Sequence, residues 1–70
     1  MGLILTPLTI QGRDLRVGDH ILLAGIFHKI IQIGTAGDDL KLTFSDVDYA
    51  YIYPGDTCQI ERIVDYEAGK

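Results

Sequence analysis

The chain is 70 residues long, 47% hydrophobic and 23% charged, and ten acidic against six basic side chains give it a net charge of −4. That length holds one small domain, whose core supplies only about 3–5 kcal/mol and which buries about 60% of its unfolded surface. Cys58 stands alone, which excludes an internal disulfide, and His20 and His28 without a Cys-x-x-Cys leave a structural zinc short of ligands.

The opening Met1-Gly2-Leu3-Ile4-Leu5-Thr6-Pro7 has no basic start and too short an apolar run for a signal peptide. Residues 1–12 read as an edge strand or an extended arm, because Pro7 lacks an N–H and is kept from a central strand. From 14 to 64 short apolar runs alternate with Gly-Asp and Pro-Gly clusters, the pattern of a small all-β fold. Leu15 and Val17 alternate with Arg16 before Gly18-Asp19 turns the chain. His20 to Ala24 and Ile26 to Ile33 predict a hairpin about Gly25. Gly34 to Asp39 predicts a loop, rich in residues that accept positive φ or bond their own backbone. Leu40, Leu42 and Phe44 alternate with Lys41 and Thr43 in the cleanest period-2 run. After a turn at Ser45 to Asp48, strands are expected at Tyr49 to Tyr53 and Thr57 to Val64, joined by Pro54-Gly55-Asp56, and residues 65–70 should fray. Helix is a poor competitor, because the apolar residues are mostly Ile, Leu, Val, Tyr and Phe at period two.

One phrase recurs: Leu15 to Leu23 matches Ile52 to Ile60 in residue type, each placing Gly-Asp before a strand. A glycine there permits positive φ, and the aspartate can accept backbone N–H bonds that close the turn. Carried through, the match puts Leu15, Val17, Ile52 and Pro54 inside and turns Tyr49, Tyr51 and Tyr53 to the opposite face.

That tyrosine stripe is the most suggestive feature. Three amphipathic rings on alternate residues offer contact area at low entropic cost and are typical interface anchors, while the alternative is that they cap an open barrel end with their hydroxyls in water. A stacking platform for single-stranded nucleic acid is opposed by Asp46, Asp48 and Asp56 beside it. The basic residues Arg13, Arg16, Lys29, Lys41, Arg62 and Lys70 are scattered singly, so no stripe invites a phosphate backbone and direct nucleic-acid binding is disfavoured. His20 and His28 lie on neighbouring predicted strands, but nothing in the spacing demands a third ligand. Asp38-Asp39 and Asp46-x-Asp48 lack the loop length and final glutamate of an EF-hand. Cys58 reads as a small core hydrophobe in phase with Ile60. The only serine, Ser45, has no neighbouring base, and no glycine-rich loop opens onto a helix. No catalytic group, metal or cofactor is therefore expected. No run approaches the roughly 18 apolar residues of a membrane span. A soluble chain without export signal and with one cysteine points to the cytoplasm.

The run Leu15-x-Val17-Gly18-Asp19-x-Ile21, then Gly25, Leu40-x-Leu42-x-Phe44, Tyr53-x-Gly55-Asp56 and Ile60-x-Arg62 resembles the small SH3-like, KOW-like barrels. It is similar to short proteins common in actinobacteria, their phages and plasmids, and more distantly to the first domain of elongation factor P. The likeness covers residues 14–64 and implies a fold rather than an activity. The elongation factor's modified lysine has no counterpart in the turn Gly34 to Asp39, and intein-like Hint domains, which share Gly-Asp-x-Ile, need a nucleophile and a terminal His-Asn that are missing.

The expectation is a single SH3-like barrel of about five antiparallel strands. Leu15, Val17, Ile21, Leu23, Ile31, Ile33, Leu40, Leu42, Phe44, Ala50, Ile52, Cys58 and Ile60 should face inward. Function is expected to be protein interaction or assembly, of phage or mobile-element type, through Tyr49, Tyr51 and Tyr53 with Asp46 and Asp48, toward a protein partner or a second copy. The alternatives are a nucleic-acid-associated KOW-like barrel and an acidic mimic presenting Asp38, Asp39, Asp46, Asp48 and Asp56 to a nucleic-acid-binding protein.

Overall fold

The computed structural model describes residues 2–66. It is all-β: β1 (Gly2–Gln11), a single 3-10 turn (Gly12–Asp14), β2 (His20–Leu23), β3 (Ile26–Ala36), β4 (Asp39–Phe44), β5 (Tyr49–Ile52) and β6 (Thr57–Tyr66). Six strands, rather than the five expected, form one antiparallel sheet in the order β1-β6-β2-β3-β4-β5. The extra strand is the N-terminal segment, which pairs with β6 from Gly2↔Tyr66 to Gln11↔Thr57 and, as an edge strand, accommodates Pro7. No ladder joins β1 to β5, so the sheet stays open among the described residues. The end of β1 nonetheless approaches the end of β5, where the Arg13 N–H donates to Pro54 O.

Curling of the sheet gathers Leu15, Ile21, Ile30, Leu42, Phe44 and Ile60 into one buried cluster, flanked by half-buried Leu8, Ile10, Leu23, Ile33, Leu40, Ala50, Ile52 and Cys58. Fully burying one such side chain contributes about 1.5–3 kcal/mol, which concentrates the stability of so short a chain in a few positions. Two expected core residues lie outside. Ile31 is 49% exposed while Ile30 beside it is fully buried. The β3–β4 register skips a residue between Ile30 and Gln32, and this bulge leaves Ile31 unpaired and lets both Ile30 and Ile33 face the core. Val17 is 61% exposed. The Asp19 N–H donates to Arg16 O, closing a turn in which Gly18 takes φ +99°. That is the position type II geometry reserves for glycine, and it ends the alternation that would have turned Val17 inward.

The turns follow the same chemistry. Ala24 and Gly25 both have positive φ, 49° and 81°, as a two-residue type I′ hairpin requires. The loop expected over Gly34 to Asp39 shrinks to Gly37-Asp38, because Gly34, Thr35 and Ala36 continue β3 against Lys41, Leu40 and Asp39. β6 reaches Tyr66, further than Val64; of the tail expected to fray, residues 67–70 lie outside the described residues.

Candidate functional site: the tyrosine face

β5 is one edge of the sheet. Its residues alternate as the pattern requires: Ala50 and Ile52 pack on the core opposite Leu42 and Leu40, and Tyr51 and Tyr49 lie opposite Lys41 and Thr43 on the outer face. Tyr49, Tyr51 and Tyr53 are 53%, 55% and 56% exposed, so the rings are on the surface rather than over a core opening. The strand expected over Tyr49 to Tyr53 ends at Ile52, so Tyr53 lies just past it, and the first two rings are held in order. The Tyr49 and Tyr51 rings meet edge to face with centroids 5.4 Å apart, and Lys41 Nζ stands 4.4 Å from the Tyr49 centroid. Such contacts add about 0.5–1.5 kcal/mol each, enough to bias rotamers on an exposed strand. Lys41 was not among the expected site residues; its place follows only from the register that sets it opposite Tyr51.

Next to the rings, the loop from Ser45 to Asp48 is closed by Phe44 N–H on Asp48 O and Ser45 N–H on Lys29 O. Asp46 Oδ2 lies 2.8 Å from His28 Nδ1, and the His28 ring packs against Phe44. Asp46 is thereby tethered while half its carboxylate side chain stays in solvent, and Asp48 is exposed beside Tyr49. Asp38 and Asp39 sit at the other end of β4, a strand length of roughly 20 Å away, so these acidic turns do not make one array. His20 and His28 fall opposite Lys29 and Ile21, so adjacent registers send them to opposite faces and they do not meet. Among the described residues no three His, Cys, Asp or Glu side chains cluster as metal ligands. No helix of the described residues is long and apolar enough to cross a membrane.

The repeated Gly-Asp phrase diverges in three dimensions. Both copies close a four-residue turn, Asp19 N–H on Arg16 O and Asp56 N–H on Tyr53 O. Gly18 has positive φ and Gly55 does not. Asp56 is exposed, whereas Asp19 is 2% exposed and accepts Arg62 Nε and Nη2, both at 2.8 Å, together with the Arg16 N–H at 2.9 Å. Burial alone would push the Asp19 carboxyl up; the bonds from Arg62 and Arg16 and their positive charges outweigh it and hold it below the ordinary carboxylate value. Arg62 is raised in return, chiefly by the bond to Asp19, and its Nη2 also reaches Asp14 O. The pair fastens β6 to the turn before β2. A signal for it existed in the sequence: Arg62 continues the inward phase of Cys58 and Ile60, where a charge needs a partner. Cys58 itself is half-buried with its thiol 3.5 Å from Ile10 O, and burial followed by the Asp19 charge pushes that thiol up, away from a thiolate nucleophile.

Two clefts of about 290 Å³ each lie elsewhere. One, lined by Pro7, Leu8, Thr9, Phe27, Gln59 and Ile60, has no ionisable side chain; the other surrounds the Asp19–Arg62 pair with Arg16 and Lys29. Neither places a nucleophile beside a base. The chain matches no family model, and no curated protein or solved structure is significantly similar to it.

Proposed function

We propose that this protein is a non-enzymatic interaction or assembly module of the cytoplasm that docks a protein partner on the outer face of β4 and β5. The observation that carries the reading is the exposed row formed by the mutually packed Tyr49 and Tyr51 on the edge strand β5 and by Tyr53 just past its end, with the opposite face of β5 fixed in the core. Rings restrained before binding lose little entropy on contact, which is the property that makes tyrosine an interface anchor. Asp46 and Asp48 flank the row in a chain of net charge −4, so a partner segment bearing basic side chains is its electrostatic complement. The finer architecture belongs to the same proposal: a curled six-stranded sheet whose edges approach at Arg13 and Pro54 is consistent with an SH3-like barrel left open on one side. The resemblance to small barrels of actinobacteria, phages and plasmids supplies the assembly context.

The reading is tested by placing a photoreactive phenylalanine at Tyr51 and, separately, at Gln59, which is exposed on β6 four strands away. A defined adduct is expected from position 51 and not from position 59, and it should weaken as salt is raised. Equal labelling from both positions, or none from position 51, would remove the tyrosine face from consideration.

A further inference from the structure

β2 pairs with β6 only at His20↔Glu61 and Ile21↔Ile60. Beyond Glu61, therefore, β6 has β1 as its one ladder partner among the described residues, and residues 2–6 with 62–66 form a two-stranded ribbon. The ribbon lengthens the molecule: its extents are 44 × 24 × 20 Å and its radius of gyration is 12.9 Å, against about 11 Å for a compact domain of this length. Two strands alone are marginal in water and need a third strand or a packed face. Here the apolar side chains are uncovered on both faces. The register puts Leu3, Leu5 and Ile63 on one side and Ile4 on the other, and all four are exposed, Leu3 by 69%.

The backbone of β1 adds a second, independent observation. The residue numbers of every β1–β6 pair sum to 68, and the Gly12 N–H to Asp56 O bond continues that register. Even-numbered residues of β1 thus exchange bonds with β6, and odd-numbered ones turn N–H and C=O outward. Pro7, which has no N–H, falls in the outward set, as an edge proline should.

We propose that this free edge pairs with β1 of a second copy, antiparallel about a two-fold axis through Ile4. Leu3 then faces Leu5 of the second copy and Leu5 faces its Leu3; each pair exchanges two N–H to C=O bonds, four in all, before Pro7 ends the ladder. The result is a continuous four-stranded sheet, β6-β1-β1-β6, with leucine and isoleucine side chains of both copies meeting on each face. Three features favour a second copy as occupant. β1 carries no ionisable side chain, so two chains of net charge −4 meet without like charges across the seam. The two-fold places the two curled bodies at opposite ends of the seam, clear of each other. The other edge, β5, is flanked by Asp46, Asp48 and Asp56 and would oppose its own copy.

The test is sedimentation equilibrium from micromolar to millimolar concentration on three chains. The native chain is expected to approach twice its 7.8 kDa mass. Leu5→Pro removes an outward N–H together with the Leu5 side chain, leaves the bonds to β6 in place, and should stay monomeric with an unchanged β spectrum. Ile4→Cys, with Cys58→Ala, should form an intermolecular disulfide on mild oxidation, because the two-fold sets Ile4 against itself in a non-hydrogen-bonded pair, whereas Thr9→Cys in the same background should not. A native chain monomeric throughout, a dimer that survives Leu5→Pro, or equal cross-linking from positions 4 and 9 would each overturn the proposal. If Leu5→Pro unfolds, the native mass and the contrast between positions 4 and 9 decide it.

Discussion

The two edges of the sheet are built alike and supported differently. In β5 every second residue, Ala50 and Ile52, rests on the core, so the tyrosines between them stand on a firm base. In β1 only Leu8 and Ile10 have that support, and Leu3, Ile4 and Leu5 extend past it. An edge strand with core beneath it can present side chains to a partner; one without core beneath it lacks cover of its own. In a 70-residue chain the hydrophobic core does not reach both ends of the sheet.

Both edges depend on the same buried cluster, and removing part of it should erase the contrast. Ile60 lies in register with Leu8 on one side and Ile21 on the other. Ile60→Ala is expected to cost about 2–5 kcal/mol in chemical denaturation, and Ile30→Ala a similar amount, with Ile31→Ala below about 1 kcal/mol because the bulge leaves that side chain outside. Equal costs at positions 30 and 31 would contradict the bulge.

The fastening between β6 and the turn before β2 comes next. Asp19→Asn leaves Arg62 without its charge partner and should cost about 2–4 kcal/mol. The native Asp19 carboxyl is held below its ordinary value, so the pair stabilises fully above the ordinary carboxylate range and that contribution is lost as pH falls through the native value. Acid titration of stability should accordingly be flatter in Asp19→Asn than in the native chain.

The link between the two edges is tested at Gly12. A Cβ there would lie 2.9 Å from Tyr53 O and 3.4 Å from Pro54 Cα, both backbone atoms. Gly12→Ala should cost about 1–3 kcal/mol and shift the amide resonances of Tyr53 to Asp56 more than those of Gly2 to Thr6. The smallest change has the opposite sign. Ala24 holds φ at +49°, which an asparagine tolerates better, so Ala24→Asn should stabilise by about 0.5–1 kcal/mol in thermal denaturation without affecting either edge.

Much of the fold was legible because period-2 alternation and turn chemistry are local. Leu40, Leu42 and Phe44 announce their strand, the Gly25 and Gly37 turns are marked by glycine, and the outward tyrosines follow from Ala50 and Ile52 between them. The misreadings are all places where a partner strand or a turn resets the phase. Ile31 is displaced by a register slip that only the pairing with β4 defines, and Val17 by a turn that interrupts an apparently regular alternation. Gly34 to Ala36 look like loop residues yet pair with β4, since tertiary pairing overrides weak strand propensity. The repeated Gly-Asp phrase predicts the turn twice and the role of aspartate not at all, because Arg62 is near only one copy. At the candidate site the tyrosines were visible and Lys41 was not, since its place over Tyr49 depends on cross-strand register.

The central claim is that the β5 tyrosines serve binding rather than folding, and the triple variant Tyr49→Ala, Tyr51→Ala, Tyr53→Ala tests it most directly. Its denaturation midpoint and its retention of the partner cross-linked at position 51 would be measured side by side. A chain that folds within about 1–2 kcal/mol of the native one and no longer retains the partner is the expected result. A folded variant that still retains it, or a variant that no longer folds, would contradict the claim.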